Sequence, residues 1–142
     1  MKNIRIIFYI YCLALSPRLS MGQFCTTLRS NTWEGFVEAM EEATDYGLAV
    51  LCPFKIEGDG CSNGESGILV KDNTNVIVSC DPFLYGYQTN SECVIDCPGR
   101  HFTVDGSSQL TLERFTLSGA TNSSIMIEAG GNLKVINSML ME

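Results

Sequence analysis

Four residues of types used in proton transfer stand close together: Asp96, Arg100, His101 and Asp105. A carboxylate and an imidazole sharing a cleft can act as general acid and base, and an arginine can hold a developing anion. That chemistry needs the groups to converge from neighbouring elements, which proximity in sequence does not provide. Within the repeat described below, the positions equivalent to Asp105 are Lys71 and Glu128. A lysine in such a row breaks a stack of carboxylates that could hold calcium or a substrate, so these residues are expected as solvated turn charges. His101 is expected to cap a bend or bond to backbone rather than act as a base. No catalytic set, cofactor site or metal site is assigned.

Phe83, Tyr85 and Tyr87 lie in the long segment Asp81–Glu92. Their ring faces could stack on sugars, which makes them candidate carbohydrate contacts; packing onto their own fold is the competing expectation. Asn122-Ser-Ser124 is an Asn-x-Ser sequon, expected at an exposed turn, and Asn122 is the candidate glycan acceptor.

Cysteine usage points to an oxidising compartment. Residues 1–22 carry Lys2 and Arg5, then the apolar run Ile6–Leu15, then Ser20 and Gly22 ahead of a cleavage point at Gln23. This is the layout of a secretory signal, and the run falls short of the ~20 residues that span a bilayer as a helix. Cys12 leaves with it; Cys25, Cys52, Cys61, Cys80, Cys93 and Cys97 remain, an even set expected to form three disulfides. Zinc is disfavoured because Cys93 and Cys97 form a C-x3-C and His101 is the sole histidine. Short loops close most easily, so the expected links are Cys52–Cys61 and Cys80–Cys93, leaving Cys25–Cys97.

The elements that would position these residues begin with one helix over Asn31–Ala43. Trp33, Phe36, Val37 and Met40 form its apolar stripe, Asn31 is the expected N-cap with Glu34 completing a capping box, and Gly47 ends it. Glu41 and Glu42 oppose the dipole at its C-terminal end. Leu48–Leu51 reads as a strand stopped by Cys52-Pro53.

Beyond it, one template recurs: ILVKDNTNVIV (Ile68–Val78), FTVDGSSQLTL (Phe102–Leu112) and IMIEAGGNLKV (Ile125–Val135). The copies start 34 and then 23 residues apart, and Phe115–Leu117 matches Met139–Met141 as a further short strand. Short strands recurring at about twenty-odd residues are the mark of a solenoid, in which equivalent strands stack in parallel. Alternation then places Ile68/Val70, Phe102/Val104 and Ile125/Ile127 inside, with Thr103 and Met126 facing solvent.

The expected fold is all-β: a right-handed parallel β-helix of about three to four coils with an N-terminal capping helix. Residues 1–22 are the signal, 23–47 the N-terminal segment and cap, and 48–142 the coils. Those coils are expected to be truncated at Glu142, leaving an open apolar end.

Signal removal takes three basic residues and no acidic one, so nine basic and sixteen acidic become six and sixteen, a net charge of −10. That field repels phosphate backbones, and nucleic acid is excluded as a partner. No membrane span is expected after cleavage. The expected partners are extracellular polysaccharide, or another copy or protein at the open end.

The segments VLCPF (Val50–Phe54), CVIDCPGRHF (Cys93–Phe102) and LERFTLSGA (Leu112–Ala120) resemble secreted right-handed β-helix proteins of diatoms and related marine algae. These belong broadly to the pectate-lyase-like superfamily, and the resemblance covers nearly all of the mature chain. It implies the fold and a secreted location. Pectate lyases use calcium-holding aspartates and a proton-abstracting arginine; polygalacturonases use clustered aspartates with a histidine and an arginine–lysine pair. Neither set maps onto this chain residue by residue. Two functions follow as expectations: a non-enzymatic structural or binding module of the cell surface or secreted matrix, or the N-terminal part of a polysaccharide lyase or glycoside hydrolase.

Overall fold

A computed structural model describes residues 25–61, 67–80 and 92–141. Helix α1 spans Trp33–Tyr46. Its cap is Thr32, not Asn31: Thr32 has extended backbone and its side chain accepts from the Gly35 amide at 3.2 Å. The chain ahead of the helix lies so close over Gly35 that a Cβ there would meet the Ser30 carbonyl at 2.4 Å, which leaves residue 32 in capping geometry. Gly47, at φ 74°, ends the helix as expected.

Eleven strands follow among the described residues: β1 (Leu48–Leu51), β2 (Phe54–Glu57), β3 (Ile68–Val70), β4 (Asn75–Cys80), β5 (Cys93–Asp96), β6 (Phe102–Val104), β7 (Gln109–Glu113), β8 (Phe115–Ser118), β9 (Ile125–Ile127), β10 (Asn132–Ile136) and β11 (Met139–Leu140). They form three parallel sheets with orders β1-β4-β7-β10, β2-β5-β8-β11 and β3-β6-β9. Read along the chain, each strand joins the next sheet in turn, and every third strand pairs with its predecessor in the same sheet. We call one such passage a round.

The template copies stack in the expected register: Ile68 beside Phe102 beside Ile125, and Val70 beside Val104 beside Ile127. Two details differ. Met139 pairs with Thr116 rather than Phe115, so the true offset is one residue shorter than the sequence match. The corner residues decide this. Arg114 and Asn137 share the left-handed conformation (φ 60° and 48°), so Ser138, not Met139, stands where Phe115 stands in the preceding round. The Ser138 hydroxyl accepts the Phe115 amide at 3.0 Å. Thr103 is also buried (7 % exposed) although it points away from the apolar ladder. It lies on a middle strand, with Leu69 and Met126 in register on either side to cover it.

The core is continuous from α1 to the third round. Phe54 and Phe115 flank Cys93 in register, and because the cysteine is small their rings meet over it at 6.1 Å. Into that space α1 inserts Phe36, with ring centroids 5.6 Å from Phe54, 6.0 Å from Phe102, 6.4 Å from Phe115 and 5.9 Å from Trp33. The Thr26 segment bridges the outer edge of β1, donating to the Val50 carbonyl and accepting from the Cys52 amide. That protects the first strand edge.

The disulfides are Cys25–Cys52, Cys61–Cys97 and Cys80–Cys93. The last is as expected; the other two correct the pairing drawn from loop length. Cys25 is held beside Cys52 by the Thr26 bridge to β1, and Cys61 and Cys97 follow the paired strands β2 and β5. Strand pairing brought those partners together at Cα distances of 5.0 and 5.5 Å, and loop entropy had no say.

Candidate functional site

The corner between β6 and β7 shows what the row Lys71, Asp105, Glu128 does. Asp105 Oδ1 accepts the Ser107 amide and hydroxyl at 3.0 and 2.9 Å, while Oδ2 accepts the Asp72 amide of the preceding round at 3.1 Å. Ser107 and Ser108 hydroxyls accept the Asn73 and Thr74 amides of that same turn, both at 3.2 Å. Asp72 and Asn73 are both left-handed (φ 64° and 59°), which aims their amides at the next round. Hydrogen bonding from Ser108, then from Ser107 and the Asp72 amide, lowers the Asp105 pKa against the effect of burial. One turn's side chains thus satisfy the backbone of the turn before it. Lys71 pairs loosely with Asp72 at 3.9 Å, and Glu128 is exposed.

Asp96, Arg100, His101 and Asp105 do not converge. Asp96 ends β5 on the outside and accepts the Ser118 hydroxyl at 2.9 Å; Asp105 lies beyond the far end of β6. His101 is fully buried at the entry to β6 and packs on Trp33 at 6.2 Å. Its Nε2 lies 3.0 Å from the Cys97 carbonyl and its Nδ1 2.6 Å from Ser124 Oγ. A carbonyl only accepts, so Nε2 carries the proton, and Nδ1 therefore accepts from the Ser124 hydroxyl. Burial lowers the His101 pKa, opposed by the Cys97 bond and the charge of Asp96. The imidazole is a neutral cross-link, bonded in part to backbone as expected.

Sequence reasoning missed Ser124, though the signal was there. Gly67, His101 and Ser124 each immediately precede the first residue of a template copy, so they occupy one rung. Gly67 is required beneath the imidazole's backbone: a Cβ would lie 2.7 Å from His101 carbonyl atoms, and its φ is 66°.

A second network was also missed, at the corner between β7 and β8. Arg114 donates from Nε to the Cys80 carbonyl at 2.7 Å and from Nη2 to Ser79 Oγ at 3.1 Å, and it pairs with Glu113 at 3.0 Å. Ser79 Oγ donates to Glu113 at 3.1 Å. This brace sits beside Cys80–Cys93, whose bridge closes the segment carrying Phe83, Tyr85 and Tyr87. Those three aromatics lie outside the described residues, as does the segment 1–22.

Asn122 is exposed in the bend between β8 and β9. On the last strand of each sheet, residues aligned with the inner ladder are uncovered: Ile127 is 44 %, Val135 39 % and Leu140 44 % exposed. Among the described residues no group of three His, Cys, Asp or Glu could hold a metal ion, and no helix is long and apolar enough to cross a membrane. The three disulfides are compatible with an extracellular setting. No family model, curated protein or solved structure matches the chain.

Proposed function

We propose that this chain is a secreted right-handed parallel β-helix module that serves as a structural or binding element of the cell surface or secreted matrix. The observation that carries the reading is the ordered return of the chain to three parallel sheets, with polar side chains spent between rounds. Asp105, His101 and Arg114 each satisfy backbone or neighbouring side chains, which is the work of a scaffold. Six cysteines joined in three links support the oxidising compartment that the leader sequence implies. Parallel sheets that grow by stacking successive rounds suit long polymers, and extracellular polysaccharide is the partner class we assign to them.

The test is incubation of the purified oxidised chain with a panel of algal and plant polysaccharides, scoring both retention and chain cleavage. Retention without new chain ends is expected, weakened by joint replacement of Phe83, Tyr85 and Tyr87 with alanine. New chain ends that disappear on Asp105→Ala would overturn the reading in favour of a lyase or glycosidase.

A further inference from the structure

We propose that Asn122 can accept an N-linked glycan only before the third round has folded, because the native fold withdraws the hydroxyl that defines its sequon. The setting rests on the secretory reading above, whereas the test below does not.

Glycan transfer joins the Asn carboxamide nitrogen to C1 of an oligosaccharide carried on a lipid pyrophosphate. The C1–O bond breaks, the lipid pyrophosphate leaves with the electron pair, and the amide proton passes to a base of the transferase. The motif's demand for Ser or Thr two residues on means that this hydroxyl is read during transfer. Here that residue is Ser124.

The Ser124 hydroxyl proton and the Ser124 carbonyl are both engaged in the fold, which holds the half-buried hydroxyl against the imidazole. Its hydroxyl lies 2.6 Å from His101 Nδ1, and the Cys97 carbonyl at Nε2 fixes the tautomer that must accept the Ser124 proton. The imidazole is fully buried and cannot swing aside without opening the core against Trp33. The Ser124 carbonyl accepts two amides, from His101 at 2.8 Å and Phe102 at 3.1 Å. Asn122 itself is exposed, so a glycan already in place projects into solvent and leaves the fold intact. The order of events is therefore fixed: modification first, closure of β9 onto β6 second. Occupancy of Asn122 then reports how slowly this round closes.

The test uses refolded chain with its three disulfides, purified oligosaccharyltransferase and a lipid-linked oligosaccharide. The reference is the tryptic peptide Phe115–Lys134, which carries the sequon free of the fold. The native chain should be modified at Asn122 at least ~tenfold more slowly than the peptide, because local opening must come first. Transfer at the peptide's rate would overturn the proposal. Met139→Thr supplies a control in the same chain: it creates a second sequon at Asn137, and position 139 is 55 % exposed. Native chain carrying it should accept glycan at Asn137 and still refuse it at Asn122. Refusal at both positions would show that general rigidity, not the His101 bond, sets acceptance, and would also overturn the proposal. His101→Ala should make Asn122 an acceptor in the native state, and continued refusal by a folded variant counts against the proposal. If that variant does not fold, the Met139→Thr comparison decides.

Discussion

Phe36→Ala should remove much of the stability of the whole molecule, although residue 36 belongs to a helix outside the sheets. The ring is completely buried and meets Phe54, Phe102 and Phe115, which belong to three different rounds. Truncating a buried Phe to Ala costs ~3–5 kcal/mol, and the edge-on contact with Phe102 places this site in the upper half of that range. The sheets cannot collapse into the gap, because their register is fixed by backbone ladders. Against the ~5–15 kcal/mol that holds a small domain together, a loss of about 4 kcal/mol is a large share. The melting point should drop by roughly 10–25 °C. Guanidinium unfolding of the oxidised protein can be followed by Trp33 fluorescence, local to α1, and by far-UV dichroism, dominated by the sheets. The two transitions should coincide and shift together in the variant. A loss below about 1 kcal/mol would refute the argument. So would a Trp33 transition that moves while the dichroism midpoint stays put, because α1 would then be an appendage rather than part of the core.

The remaining predictions concern the polar rungs and the disulfides. Because burial lowers the His101 pKa below the ordinary 6.5, the unfolded chain binds that proton more readily. The histidine's contribution is therefore complete above the unfolded value and is lost as pH falls through it, at up to ~1.4 kcal/mol per pH unit. His101→Gln should flatten this limb in denaturant titrations from pH 7 to 5; an unchanged slope would rule it out. Asp105→Ala should lower the melting point at neutral pH. Its deficit should shrink in acid, since a depressed carboxylate pKa contributes above the unfolded value and is lost as pH falls through the folded one. Arg114→Ala should destabilise by about 1.5–3 kcal/mol through the lost bonds to Cys80 and Ser79. Arg114→Gly should be milder by up to ~1 kcal/mol in chemical denaturation, because φ is 60° there. Non-reducing peptide mapping should recover Cys25–Cys52, Cys61–Cys97 and Cys80–Cys93. Recovery of Cys52–Cys61 would contradict the strand pairing that sets those links.

Local pattern fixed more of this molecule than its candidate site. Period-two alternation and the thrice-repeated template determined which residues stack, and β3, β6 and β9 pair in the register those copies imply. That worked because a one-residue slip would turn each strand's apolar face outward. The helix stripe and its Gly47 stop were equally legible, since both depend on neighbours in sequence. Strands β2 and β5 escaped because FKIE and CVID are only four residues long and abut the pairs Cys52-Pro53 and Cys97-Pro98, and only pairing with each other and with β8 defines them. The disulfides were settled in three dimensions for a similar reason. Doubling a loop changes closure by only ~0.6 kcal/mol, too little to outweigh which strand ends the sheets bring within bridging distance. The template register puts Ser124 on the rung of His101, but the bonds of the Ser124–His101–Cys97 chain and of the Arg114 brace needed the tertiary structure. Each joins residues one round apart or across a corner, and a hydrogen bond at 2.6 or 2.7 Å depends on corner geometry that no spacing of residue types encodes.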